Sequence, residues 1–242
     1  MKVSVVIPAL NERENLPAAV AAARTALRDA EIVIVDGGSH DGTPDWVRQQ
    51  RDLRLVRSPT RGRGPQMNAG ALAAQATSDV LVFLHADCLL PGSALRSITR
   101  AMGDPRTVGG CFPVRFAENA PVSLPITAAL INAQSRVRRS ATGDQAIGVR
   151  RAAWDALGGY EPWPLFEDIA FVDHLKRRFG RRAFAVLGGD AVTISARRWQ
   201  EFGVARTSLW MCVLWAGYKI GIPPGRLKQW FTDVRPHLKR GS

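Results

Sequence analysis

The chain has 242 residues, of which 46% are hydrophobic and 22% are charged, so it buries a sizeable core and its composition excludes a disordered protein. Its formal net charge of +12 lies mainly in residues 177–242, which hold 13 Lys and Arg against 3 Asp and Glu. Such a basic segment suits a phosphorylated substrate, an anionic lipid surface or a nucleic acid, or else it is a solvated face that keeps the protein soluble.

The first hundred residues alternate short β-branched runs with longer stretches of Ala, Leu and Arg at helical spacing. Strands are predicted at 3–7, 32–35, 53–57 and 80–84, and helices at 16–27, 44–50, 66–76 and 92–102. Strands that alternate with helices indicate βαβ units and a mostly parallel sheet. The first apolar run is interrupted by Pro8 and is too short for a signal peptide.

Beyond residue 105 the alternation weakens. Further strands are predicted at 108–116, 145–149, 183–187 and 192–194, and further helices at 121–139 and 167–179. The apolar segment 207–220 is shorter than the roughly 20 residues that a bilayer span needs, and we expect it either to lie on a membrane surface or to pack as a buried helix. The three cysteines are far apart, which indicates neither a disulfide framework nor a zinc ligand set and favours a reducing cytoplasm.

Polar side chains follow three of the predicted strands, at the carboxyl ends where parallel sheets bind their ligands. They are Asn11 and Glu12, then Asp36, then His85 and Asp87. The glycines after Asp36 are weak support on their own, because an ordinary strand-to-helix turn accounts for them. A dinucleotide-binding fingerprint would place such a turn after the first strand instead. The strand ends therefore predict a ligand site without identifying the ligand.

Six ordered segments together carry a resemblance to a known family. They are residues 5–12 (VVIPALNE), 35–43 (VDGGSHDGT), 62–70 (GRGPQMNAG), 85–87 (HAD), 166–168 (FED) and 195–199 (SARRW). In this order and spacing they resemble the family 2 glycosyltransferases over roughly residues 3–200. The histidine of the third strand-end motif and the Trp-rich C-terminus are similar in particular to a small bacterial subgroup associated with radical-SAM and selenium-domain genes and with arsenosugar biosynthesis.

The resemblance implies an α/β fold of the GT-A type, in which helices flank a Rossmann-like, mostly parallel sheet. The expected single domain covers residues 1–200, with a nucleotide-binding half at 1–104 and an acceptor and catalytic half at 105–200. A basic, Trp-rich helical extension is expected at 201–242.

The resemblance also implies an inverting enzyme that moves one sugar, a hexose, from a nucleotide-diphosphate sugar to a hydroxyl of a small-molecule or lipid-linked acceptor. Asp168 matches the general base, with Glu167 beside it. A divalent cation, Mn²⁺ or Mg²⁺, is expected on Asp87 and His85. Asp144 and Trp199 are expected to contact the acceptor. The residues expected to bind the donor are Pro8, Asn11, Glu12, Asp36, Arg63, Gln66, His85, Asp87 and Arg198.

Each of these residues also has an ordinary structural interpretation. An acid at a helix start is commonly a capping residue, as Asp168 would be. Arg63 suits a solvated loop charge, Asp144 a turn acid and Trp199 a core residue. Ser195 stands where processive relatives have a glutamine, so polymer synthesis is not expected.

Two other classes of protein remain open at this stage. A nucleotidyltransferase shares the sheet architecture, but it would need a glycine-rich phosphate loop directly after the first strand. A catalytically silent protein would use residues 177–242 to bind an anionic membrane surface or a nucleic acid. No nucleic acid is expected, since the chain has no stacking platform or helix-turn-helix pattern. The expected location is the cytoplasm, with peripheral attachment to the inner face of the membrane as a further option.

Overall fold

The computed structural model describes residues 1–117, 120–121 and 123–230, apart from the side chain of Arg198. The strands are β1 Val3–Ala9, β2 Glu31–Asp36, β3 Leu53–Arg57, β4 Val80–Phe83, β5 Cys88–Leu89, β6 Gly109–Cys111, β7 Val114–Phe116, β8 Ile147–Arg150, β9 Phe184–Val186 and β10 Val192–Ile194. The helices are α1 Leu16–Ala26, α2 Thr43–Arg48, α3 Arg63–Ala73, α4 Ala94–Met102, α5 Leu124–Arg138, α6 Arg151–Leu157, α7 Glu167–Phe179, α8 Arg197–Phe202 and α9 Val204–Lys219.

The central sheet of the described chain has seven strands in the order β3-β2-β1-β4-β8-β6-β9. All of them run in one direction except β8, which is antiparallel to both of its neighbours. Within β1, Val5 and Ile7 face one core layer and Val6 faces the other, because successive side chains of a strand point to opposite faces. The predicted α/β fold with a mostly parallel sheet between helices is confirmed.

The strand predicted at 108–116 is wrong as a single element. It consists of β6 in the central sheet and β7 in a second sheet of three strands, in the order β5-β10-β7. The break falls at Pro113, which has no N–H with which to continue a ladder. This small sheet matters for the site because it brings the segment after β4 beside the segment after β10.

Short elements account for most of the other differences. The sequence pattern does not predict α6 or α8, since six or seven residues are too few to show a helical period. The helix α3 begins at Arg63, three residues before its predicted start, so the arginine lies in the first helical turn rather than in the preceding loop.

The C-terminal part of the described chain packs on α7. Phe166 and Ile169 form a small apolar cluster with Leu214 of α9 and with Leu227, so one face of the predicted apolar segment is buried. Residues 231–242 of the predicted extension lie outside the described residues. Among residues 1–117, 120–121 and 123–230, none of the helices has both the length and the apolar character required to span a bilayer.

Candidate active site

The loops after β1 and β2 are fastened to one another at the carboxyl edge of the sheet. The carboxylate of Asp36 accepts hydrogen bonds from the backbone N–H of Gly38 and of Ser39, at 3.1 and 3.0 Å. The side chain of Asn11 accepts one from the His40 N–H at 2.9 Å. Beside this turn a cavity of about 410 Å³ is lined by Gly37, Gly38, Arg57, Ser58, Pro59 and Arg61. Its size lies within the range of small-molecule sites.

Three predicted donor residues have structural contacts in the same region. The amide of Gln66 is buried and donates to the carbonyl oxygens of Ala9 and Val35, at 2.9 and 2.8 Å. It therefore links the carboxyl ends of β1 and β2. Pro8 lies buried within β1. The Glu12 carboxylate accepts a hydrogen bond from the Asn15 amide. The roles of these residues in donor binding stay predictions.

The end of β4 continues into a tight turn, in which the Cys88 N–H donates to the His85 carbonyl at 3.1 Å. His85 is buried, and its Nδ1 lies 2.9 Å from the Asp144 Oδ1. Its Nε2 is also buried and has no hydrogen-bond partner among the described residues. A Cβ at Gly143 would lie 2.3 Å from this Nε2. Only glycine therefore leaves room for the imidazole at this position.

Asp144 lies in a 3-10 turn, 143–145, directly before β8. The buried Gln145 side chain anchors this turn: its Oε1 accepts from the Thr142 N–H and the Ser135 hydroxyl, at 3.1 and 3.0 Å. Its Nε2 donates to the Phe112 carbonyl at 3.2 Å. Sequence reasoning missed Gln145, because its partners lie in α5 and beside β6.

The acids Glu167 and Asp168 begin α7. Asp168 accepts the Gly143 N–H at 2.6 Å and the Ile169 N–H at 2.7 Å, so its carboxylate is fixed against the turn that carries Asp144. The side chain of Glu167 is only 2% exposed, and its Oε1 lies 2.8 Å from the Arg63 Nε. Burial raises the pKa of Glu167, and the Arg63 charge only partly offsets this effect.

The charges of these acids act on Arg63. Its own burial would lower the pKa of the guanidinium, but the carboxylates around it outweigh burial and raise that pKa. Those carboxylates belong to Glu167, Asp168, Asp144 and Asp87. Three separate chain segments, at 87, 144 and 167–168, thus bring negative charge to one arginine.

A second cavity, of about 100 Å³, opens beside this cluster. It is lined by Asp87, Cys88, Asp144, Ile194, Ser195, Arg197, Trp199, Glu201 and Phe202. The structure therefore brings three predicted site residues together here, namely Asp87, Asp144 and Trp199. The ring of Trp199 also packs edge to face on Phe116 at 5.0 Å, which is the core role that the sequence left open.

Arg197 is a cavity residue that sequence reasoning missed. The sequence pattern indicated its neighbour Arg198, whose side chain lies outside the described part of the structure. Arg197 faces the cavity, and its guanidinium lies 3.7 Å from the Glu12 carboxylate. An exposed arginine at this position suits a phosphate or carboxylate ligand.

The residues around the 100 Å³ cavity fit a divalent cation. Among the described residues, donor atoms of His85, Cys88 and Asp144 lie within 4.8 Å of one another. The Asp87 Oδ1 lies 3.6 Å from the Cys88 Sγ. Imidazole, thiol and carboxylate together make a donor set suited to a transition metal.

A mostly parallel sheet with a glycine turn, an acid cluster and two cavities at its carboxyl edge suits the glycosyltransferase class. The chain belongs to glycosyl transferase family 2, whose sequence profile matches residues 4–155. That match covers β1 to α6, which includes the Asp36 turn, Arg63, the turn after β4 and Asp144.

Similar proteins agree with this assignment. The succinoglycan biosynthesis protein ExoA of Rhizobium meliloti is 27% identical over an alignment of 222 positions that covers 84% of this chain and 67% of that protein. The structure of S. aureus TarS 1-349 has a TM-score of 0.64 at 18% identity and covers 81% of this chain. Glucosyl-3-phosphoglycerate synthase from Mycobacterium tuberculosis, with Mn²⁺, UDP-glucose and phosphoglyceric acid, has a TM-score of 0.58 at 21% identity and covers 78% of this chain. The chain spans 61% of the TarS fragment and 71% of the synthase.

Proposed function

We propose that this protein transfers one sugar from a nucleotide-diphosphate sugar to a hydroxyl of a small-molecule or lipid-linked acceptor, with inversion at the anomeric carbon. The observation that carries the proposal is the set of acids whose charges act on Arg63, two of which, Asp87 and Asp144, also line the second cavity. The first cavity suits a nucleoside, and the second suits a cation and part of the diphosphate.

The chemistry assigned to the side chains follows from charge. Inversion in one step needs a base that takes the acceptor proton as the hydroxyl attacks. Asp168 has this role in the proposal, because two backbone N–H groups hold its carboxylate in a fixed orientation. Arg63 and Arg197 are cations suited to the negative charge that grows on the departing diphosphate. A divalent cation near Asp87 would supply Lewis-acid stabilisation of the same charge.

Solved relatives support the donor class. TarS 1-349 has been crystallised with UDP and with UDP-GlcNAc, and glucosyl-3-phosphoglycerate synthase with Mn²⁺ and UDP-glucose. The base and sugar that this chain takes stay open. The finer resemblance to the subgroup associated with arsenosugar biosynthesis stays a prediction. The division between residues 104 and 105 and the cytoplasmic location also stay predictions.

The test is calorimetric titration of UDP, GDP and dTDP with and without Mn²⁺, followed by transfer assays with the matching sugar nucleotide. We expect saturable binding of at least one nucleotide. We also expect Asp168→Asn to keep binding while it lowers the transfer rate by about 10² to 10⁴-fold. Asp155→Asn, at an exposed acid of α6, is the matched control. Binding of none of the three nucleotides, or full activity in Asp168→Asn, would contradict the proposal.

A second proposal concerns attachment to an anionic membrane surface through α9. Leu209, Val213 and Ile220 are 66%, 43% and 79% exposed, and their spacing of four and seven residues places them on one face of the helix. Residues 177–242 add the strongly basic charge that anionic lipids attract. The apolar row and the charge together suit a helix that lies in the interface.

Co-sedimentation of the full chain with vesicles tests this attachment. We expect binding to vesicles that contain phosphatidylglycerol, weaker binding to pure phosphatidylcholine, and loss of binding at high salt. Leu209→Glu should weaken binding at least fivefold. Leu72→Glu, at a leucine of α3 that is 72% exposed, should not. Equal binding to both vesicle types would contradict the proposal.

A further inference from the structure

One cluster at the second cavity includes a thiol that the proposed reaction does not use. His85 and Cys88 lie three residues apart in the tight turn after β4, closed by the hydrogen bond from the Cys88 N–H to the His85 carbonyl. Two ligands separated by two residues in a tight turn are the usual chelating pair of zinc sites. Asp144 approaches from the turn before β8 and supplies an oxygen.

We propose that His85, Cys88 and Asp144 form a binding site for a thiophilic divalent metal, such as Zn²⁺ or Co²⁺, with Cys88 as a thiolate ligand. Their donor atoms lie within 4.8 Å of one another. Around a tetrahedral ion with bonds of about 2.0 to 2.3 Å, ligand atoms are roughly 3.3 to 3.8 Å apart. Small side-chain movements would therefore complete the set.

The environment of the imidazole decides which of its nitrogens binds. The Nε2 of His85 packs against Gly143, where even a Cβ has no room. The Nδ1 faces Asp144 at 2.9 Å, so Nδ1 is the ligand atom, and the ring proton that it donates to the Asp144 carboxylate moves to Nε2 when the metal binds. The metal replaces the contact between Nδ1 and Asp144, and the thiol of Cys88 loses its proton to solvent as the metal–sulfur bond forms.

The cavity leaves a coordination position open. Cys88 and Asp144 line it together with Asp87 and Arg197, so a fourth ligand can be water or a diphosphate oxygen. A thiolate ligand disfavours Mg²⁺, which prefers oxygen donors, and favours Zn²⁺ and Co²⁺. The inference rests on the proposed function in one respect, because it assigns to the ion at the donor site a preference for Zn²⁺ and Co²⁺. The predicted pair of His85 and Asp87 lacks a thiolate and does not have that preference.

The test follows Co²⁺ binding to the metal-free full chain by absorption, without nucleotide. We expect a near-ultraviolet thiolate-to-cobalt charge-transfer band, release of about one proton per ion, and displacement of Co²⁺ by Zn²⁺ but not by Mg²⁺. Cys88→Ser should abolish the band. Cys212→Ser, which removes an exposed cysteine of α9, should retain it in full.

Asp144→Asn gives a second measurement that spares the buried cysteine. This variant should keep the charge-transfer band but weaken Co²⁺ binding at least tenfold. No Co²⁺ binding, binding without the band, or a band that survives in Cys88→Ser would overturn the inference. A protein that shows the band but binds no nucleoside diphosphate would overturn the proposed function and leave the metal site standing.

Discussion

At the scale of single residues, the site depends on close approaches that only small side chains allow. Gly143 contacts the His85 ring with its backbone, and its N–H also holds the Asp168 carboxylate. Gly143 therefore positions both His85, a candidate metal ligand, and Asp168, the proposed base. Its importance comes from the space that a Cβ would fill.

Gly143→Ala is expected to displace the imidazole or the turn, since the new Cβ would lie 2.3 Å from the Nε2 of His85. The expected loss of stability is about 1 to 3 kcal/mol, the usual effect of overpacking, together with weaker cation-dependent nucleotide binding. Thermal unfolding and calorimetry measure the two effects. The control is Gly148→Ala, at a buried glycine of β8 where the nearest atoms would lie 4.0 Å from the new Cβ. Similar losses in the two variants would contradict the steric argument.

Glu167 offers a prediction about pH. Burial raises its pKa in the folded state above the unfolded value, so the folded protein holds the proton more tightly. The contribution of this group to stability is therefore present at low pH and is lost as pH rises through the interval between the two pKa values. Glu167→Gln mimics the protonated acid. Its free energy of unfolding should thus improve relative to wild type as pH increases from about 4.

Chemical denaturation of both proteins across the pH range checks this expectation. Glu161→Gln, at an exposed acid near the same helix, serves as the control and should show no such trend. A difference between Glu167→Gln and wild type that stays constant with pH would mean that Glu167 is not desolvated as the structure indicates.

At the scale of elements, the packing of helix α3 against the sheet determines how far Arg63 lies from the strands. Gly70 lies so close to β1 and β2 that a Cβ would meet the side chains of Val6 at 2.3 Å and Val35 at 2.7 Å. The same helix begins with Arg63 and carries Gln66, which ties the two strands together. Close packing at Gly70 therefore fixes where Arg63 meets Glu167.

Gly70→Ala should destabilise the protein by about 1 to 3 kcal/mol through overpacking, despite a gain of up to about 1 kcal/mol in helix propensity. The measurement is equilibrium unfolding in urea. A second change, Val6→Ala, should cost less stability in the Gly70→Ala background than in wild type, because it removes one of the two clashing side chains. Leu72→Ala, on the exposed side of the same helix, should alter stability by less than about 0.5 kcal/mol.

The elements also show how far the sequence predicts the fold. Strands such as β1 and β4 are apolar on both faces. The sequence pattern predicts where both strands begin and places their ends within two residues of the observed ends. The break at Pro113 is visible in the sequence, yet the apolar residues on both sides suggest one strand. The short helices α6 and α8 have no periodic signal, because tertiary contacts rather than local pattern define them.

The site is predictable in its parts and not in its assembly. Asp87, Asp144 and Trp199 are each indicated by the sequence, but only the fold shows that they line one cavity. Arg197 is missed because adjacent helical residues point about 100° apart, and sequence alone does not say which of two arginines faces inward. The spacing of His85 and Cys88 is visible in the sequence, whereas the third donor residue, Asp144, lies in a turn that is distant along the chain.

At the scale of the whole molecule, charge is divided between two regions. The C-terminal quarter of the sequence is strongly basic, whereas Arg63 pairs with Glu167 and is also influenced by the charges of Asp168, Asp144 and Asp87 in the site. The arginines of the cavities attract a negatively charged diphosphate, whereas the carboxylates of the site oppose it unless the pocket also holds a cation.

The acids around Arg63 thus imply that cation and nucleotide bind as a coupled pair. Each should raise the affinity for the other by the same factor, since linkage is reciprocal, and a factor of about 5 to 150 is usual. Calorimetry in both orders measures it: nucleotide into protein with and without Mn²⁺, and Mn²⁺ into protein with and without nucleotide. The absence of coupling would contradict this account. A pocket of this kind discriminates by composition as well as by shape, because it holds the complex of cation and diphosphate more tightly than either one alone.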